Sequence, residues 1–117
     1  MIEDILNASG IPYRQGKYLE APSTQPPEGS YAVYFDDVEI VDKPDFVPGL
    51  DLRGMRLPCR HDVMVEIYEP IPDPDAEENF ENACLAQGVI YEKQDRIWLP
   101  GAQRYQVVYD ITYMTKR

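Results

Sequence analysis

The stretch that most limits what this chain can fold into is Arg104 to Lys116, R-Y-Q-V-V-Y-D-I-T-Y-M-T-K, in which Tyr105, Val107, Tyr109, Ile111 and Tyr113 fall on every second position. Strand side chains alternate between faces, so these five make one apolar-aromatic face, with Gln106, Asp110 and Thr112 on the other. Burying such side chains is worth roughly 1.5–3 kcal/mol each. The face therefore needs a cover, either from elsewhere in the chain or from a neighbouring subunit.

The other elements follow in order. Ile2, Ile5 and Leu6 are at helical spacing ahead of Gly10 and Pro12, which predicts a short amphipathic helix with a left-handed stop. Ala21 to Gly29 holds three prolines and reads as an extended connection. Ser30 to Phe35 is β-rich, and Val38 to Val41 resumes the pattern after Asp36-Asp37, which predicts a strand with a bulge or turn at the two aspartates. His61 to Glu69 alternates Val63, Val65 and Ile67 against Asp62, Glu66 and Tyr68, predicting a half-buried strand. Asp73 before Pro74 is a helix start, with the carboxylate as N-cap and proline in the first turn. Ala76, Phe80, Ala83 and Cys84 line one face of that helix, and Gly88 closes it. Val89 to Leu99 is a further strand-forming region with an irregularity at Gln94-Asp95, and Pro100-Gly101 turns the chain into the terminal strand.

Between the two middle strands lies D-K-P-D-F-V-P-G-L-D-L-R-G-M-R-L-P, Asp42 to Pro58. Its prolines and glycines exclude a regular helix, while Phe46, Val47, Leu50, Leu52, Met55 and Leu57 are too apolar for a solvated linker. Loops this long in compact domains are usually functional. Two readings stay open: an arm that buries its apolar residues on another subunit, and a loop folded over its own core. Taken together, the order helix, strand, arm, strand, helix, hairpin predicts one α+β domain over residues 1–117. Its sheet is mostly antiparallel with about four strands, and two helices pack on one face.

The chain is long enough for one core and too short for two. Asp and Glu number 21 against 11 Lys and Arg, a net charge of -10 that repels phosphate backbones, so no nucleic-acid site is expected. No run of apolar residues is long enough for a transmembrane helix, so no membrane partner is expected either. Glu3 and Asp4 stand where a secretory signal carries positive charge, which points to synthesis in a reducing cytoplasm. Cys59 and Cys84 could pair, but a domain of this size does not require it.

Chemistry is hard to find. His61, the only histidine, stands two residues from Cys59 at a strand entrance, on the same side, whereas a Cys-His nucleophile pair needs facing elements. Two cysteines and one histidine do not supply a zinc site. Glu66, Glu69, Asp73, Asp75, Glu77, Glu78 and Glu81 form an acidic run without lysine or arginine, but the glycine and glutamate of a calcium loop are missing from their places. The expectation is a capped helix with a solvated acidic face. Gly49 and Gly54 do not make a phosphate loop. No catalytic, metal or cofactor-binding residue is assigned, no cofactor is expected, and the chain is not read as an enzyme. Arg53, Arg56 and Arg60 lie just ahead of the acidic run. Separate basic and acidic patches suit head-to-tail contacts between copies, or else an intramolecular patchwork of solvated charges.

In this order the elements G-S-Y-A-V-Y-F (Gly29 to Phe35), H-D-V-M-V-E-I-Y-E-P (His61 to Pro70), A-E-E-N-F-E (Ala76 to Glu81), K-Q-D-R-I-W-L and R-Y-Q-V-V-Y-D-I-T-Y resemble the small tail-completion proteins of long-tailed bacteriophages and prophages, of the tail-terminator or head-to-tail joining class. The resemblance runs from about Gly29 onward and rests on element order. It implies a structural virion-assembly protein made in the bacterial host cytoplasm: a homo-oligomeric ring, commonly a hexamer, that caps the tail tube and meets the head connector, with no reaction and no cofactor. The expected oligomer interface is Phe46, Val47, Leu50, Leu52, Arg53, Met55 and Arg56. The competing class is a small acidic binding or inhibitory module, an antitoxin-like or regulatory partner.

Overall fold

The computed structural model describes residues 1–16, 27–40 and 58–116. In chain order these form α1 (Ile2–Ser9), β1 (Tyr13–Gln15), β2 (Tyr31–Ile40), β3 (Pro58–Glu69), α2 (Pro74–Ala86), β4 (Ile90–Lys93), β5 (Ile97–Leu99) and β6 (Arg104–Lys116). The strands make one sheet ordered β1-β2-β3-β6-β4, with β5 also on β6. Every pairing is antiparallel except β1 with β2.

The class is the expected one, α+β with two helices and a mostly antiparallel sheet, but six strands replace the expected four. One addition is β1, whose three residues are too few to show a period. The other comes from Val89 to Leu99, which is two strands because residues 94–96 leave the ladder before Ile97 rejoins it opposite Gln106. β2 also differs from expectation: it runs unbroken through the aspartates, with Asp36 opposite Val63 and Asp37 opposite Asp62. Neither residue forces a bulge, because Asp36 has a partner across the sheet in His61 and Asp37 faces solvent.

The strand positions Ala32, Tyr34, Val63, Val65, Ile67, Val107, Tyr109, Ile111 and Tyr113 share one side of the sheet by register. They form a single core with Ile2, Ile5 and Leu6 of α1 and with Phe80, Ala83 and Cys84 of α2. Both helices therefore lie on one face, and they pack against each other. The cover for the β6 aromatic face comes from within the chain. Phe80 meets the Tyr109 ring at 4.8 Å between centroids, a tilted pair of the kind aromatic quadrupoles favour.

The ends of the helices are set as the sequence reading expects. α1 stops at Gly10 with φ 73°, a left-handed value that glycine adopts without a Cβ clash. The Asp73 side chain accepts the Ala76 N–H at 3.2 Å and so caps α2. Cys59 and Cys84 are free, buried thiols, and burial followed by the Glu81 charge pushes Cys84 up to about 11.

Candidate functional site

The face turned away from the helices is the less covered one. Near β1 it is closed by its own aromatics: Tyr31 and Tyr68 stack at 5.1 Å, and the Arg104 guanidinium lies 5.3 Å over Tyr31. Arg104 also donates to the carbonyls of Pro27 at 2.8 Å and Glu28 at 3.1 Å, holding the entry to β2. Further along, the cover gives out. Met64 and Met114 are exposed, and Phe35, Asp37, Asp62, Met64, Asp110 and Thr112 line a shallow groove of about 340 Å³. Asp37 and Asp62 stand directly opposite each other, an arrangement that like charges disfavour. Asp62 is offset by Arg60 at 3.3 Å and by the Thr112 hydroxyl at 3.1 Å.

This open end is also where sheet edges are left over. β1 reaches only Ala32 to Tyr34 of β2, and β4 reaches only Tyr109 to Thr112 of β6. Beyond Phe35 on β2 and Tyr113 on β6, the outer edges have no strand partner among the described residues. Unpaired edges are templates for association with another chain. β2 and β3 pair as far as Ile40 opposite Cys59, so residues 41–57 join two adjacent strand ends here.

His61 fixes that end internally. Its Nδ1 lies 3.1 Å from both carboxylate oxygens of Asp36 on β2, and its Nε2 lies 2.9 Å from the Thr115 hydroxyl on β6. A carboxylate only accepts, so Nδ1 donates; in the neutral ring Nε2 then accepts from Thr115. The imidazole stacks on Tyr113 at 4.6 Å. One side chain thus ties three strands together.

The seven expected interface residues, Phe46, Val47, Leu50, Leu52, Arg53, Met55 and Arg56, lie outside the described residues, as does the rest of the segment 41–57. Of the basic patch only Arg60 is described; it is exposed and paired with Asp62 of its own strand.

The acidic run behaves differently from expectation. Asp75 and Glu78 are exposed, but Glu69 is 0% and Glu77 2% accessible, so the run is not simply a solvated face. The correction has a physical cause: the run has no cation of its own, and the partners come from beyond the helix. Arg96 Nε donates to Glu69 at 3.2 Å and its Nη2 donates to Glu77, while Lys93 Nζ meets Glu77 at 2.7 Å and Glu81 at 3.5 Å. The Tyr109 hydroxyl donates to Glu81 at 3.1 Å and the Tyr91 hydroxyl at 3.0 Å. Ser30 reaches Asp73 at 2.7 Å, and the Asp73 N–H reaches Glu69 at 3.2 Å.

Burial first, then the neighbouring Glu77, pushes Glu69 up to about 7. For Glu77 burial also raises the value, but hydrogen bonds from Glu69, Lys93 and Arg96 outweigh it and hold the group at about 2. A sequence signal for this pair existed. Glu69 continues the inward series Val63, Val65, Ile67, and Glu77 sits three residues before Phe80 on the apolar stripe of α2. Among the described residues no group of His, Cys, Asp and Glu is placed to hold a metal ion, and no helix is long and apolar enough to cross a membrane. No protein-family model and no curated protein matches the chain.

Proposed function

We propose that this chain is a structural assembly subunit of the phage tail-completion kind, which oligomerises, as a ring, to terminate the tail tube or to join it to the head connector. The observation that supports this reading is the one-sided sheet. Both helices lie on one face, while exposed Met64 and Met114 on the other, an acidic groove and two strand edges unpaired among the described residues gather at the end from which residues 41–57 depart. Exposed apolar groups beside free edges are what a subunit offers to its neighbours. Residues 41–57, with Arg53 and Arg56, would supply the apolar and basic side of the contact, and the groove acids the other, giving a heterologous interface that closes into a ring.

Mass in solution tests the proposal. Analytical ultracentrifugation over a range of concentrations is expected to show a concentration-dependent oligomer, and deletion of Phe46 to Met55 to leave a folded monomer. A strict monomer at every concentration would remove the assembly reading. An intact ring after the deletion would remove the arm from it. With purified phage tail tubes, electron microscopy is expected to show the ring at one end. A second reading, a small acidic module that binds a basic partner, is favoured by Asp37, Asp62 and Asp110 around one groove, and a monomer that retains a cationic protein partner would select it.

A further inference from the structure

The network around Glu69 contains more acid than base. Glu69 of β3 and Glu77 and Glu81 of α2 face Lys93 of β4 and Arg96 of the β4–β5 connection, three carboxylates against two cations. The other groups that face them are uncharged donors or rings: the Tyr91 and Tyr109 hydroxyls on Glu81, and Tyr105, the strand partner of Glu69 on β6. Asp73 presents its backbone N–H to Glu69 while its own carboxylate is taken by Ser30 and the α2 cap. Glu69 has no accessible surface, so water cannot supply the missing compensation, and neither can a substrate reach it. An uncompensated charge in such a place takes up a proton in preference to staying ionised.

We propose that Glu69 and Glu77 hold a single proton between them, and that this proton clamps the first turns of α2 to the end of β3. Glu77 keeps the charge, because Lys93 and Arg96 both bind it, and Glu69 keeps the proton. Loss of the proton sets two carboxylates against each other across the helix–sheet junction, so docking of α2 weakens as pH rises toward neutrality.

The direction is fixed by linkage. Glu69 is raised to about 7 from 4.5, so its contribution is fully present below 4.5 and is lost as pH rises to about 7. Glu77 is lowered to about 2 from 4.5, so its contribution is present above 4.5 and is lost as pH falls toward 2. The pair therefore stabilises the fold most near pH 4.5. Between that point and neutrality, folding takes up about one proton, and the folding constant falls about tenfold per pH unit.

The full chain tests this in two ways. Denaturant melts between pH 4.5 and 7 are expected to show that slope in the wild type, and Glu69→Gln, which carries a permanent neutral group, is expected to remove about one proton's worth of it while remaining at least as stable at pH 7. A slope that survives unchanged in Glu69→Gln overturns the proposal. Carboxyl-carbon NMR of the wild type needs no variant: one glutamate is expected to titrate near neutrality and another to stay ionised into strong acid. If every glutamate titrates in the ordinary range, no proton is shared. Amide exchange, corrected for the intrinsic pH effect, is expected to show α2 losing protection as pH rises from 4.5 to about 7, and α2 protection that stays constant over that range would refute the clamp.

Discussion

The two faces of one sheet differ sharply. On the helix side Val65, Ile67, Val107 and Tyr109 are each 0% accessible, and α1 and α2 close over them. On the other side, on the same strands, Met64 is 36% and Met114 51% accessible. Backbone, strand order and hydrogen bonding are shared, so the difference lies in the side chains each face presents and in the helices that cover one of them. The covered face holds the core of the fold, and the open face leaves apolar side chains in solvent.

The comparison can be broken most directly at Phe80. Phe80→Ala opens a cavity against Tyr109 and is expected to cost about 3–5 kcal/mol in a denaturant melt. Little or no loss would mean that the helix side is not where stability resides. Glu77→Ala leaves Lys93 and Arg96 beside a single remaining partner each, Glu81 and Glu69, and is expected to cost about 3 kcal/mol near pH 7. A value near zero would make the network ornamental. Asp73→Ala removes the α2 cap and the Ser30 contact, with an expected loss of about 1 kcal/mol and earlier fraying of α2 in amide exchange. Smallest of all, Met64→Thr and Met114→Thr on the open face are expected to change stability by about 0.5 kcal/mol or less. Their effect belongs in the sedimentation profile, where weaker self-association is expected. Two stable variants that assemble like the wild type would show that this face is not used.

Much of the covered face was legible. The period of two through Val63, Val65, Ile67 and through Val107, Tyr109, Ile111 names the inward residues directly, and Asp73-Pro74 marks the helix start to the residue. Less was legible at the edges. β1 is held by its register beside Ala32, Val33 and Tyr34, not by any pattern of its own. Asp36-Asp37 looked like a break because aspartate is rare in strands, and only the position of His61 across the ladder shows why Asp36 is tolerated there. The glutamate network was hidden for a related reason. Its cations, Lys93 and Arg96, are remote in sequence from Glu69 and Glu77, and charge pairing at that separation depends on the folded path of β4 and β5. The candidate interface residues between Phe46 and Arg56 belong to a stretch whose role rests on composition alone.

The place of β6 carries a consequence for how the protein is made. It lies between β3 on one side and β4 and β5 on the other, yet it follows all of them in the sequence. Until residues 104–116 have emerged from the ribosome, β3 lacks one neighbour and the helices have half a floor to rest on. Folding must then await the end of translation of this strand, and a nascent chain stalled before Arg104 would expose the apolar side of β3 to chaperones and proteases.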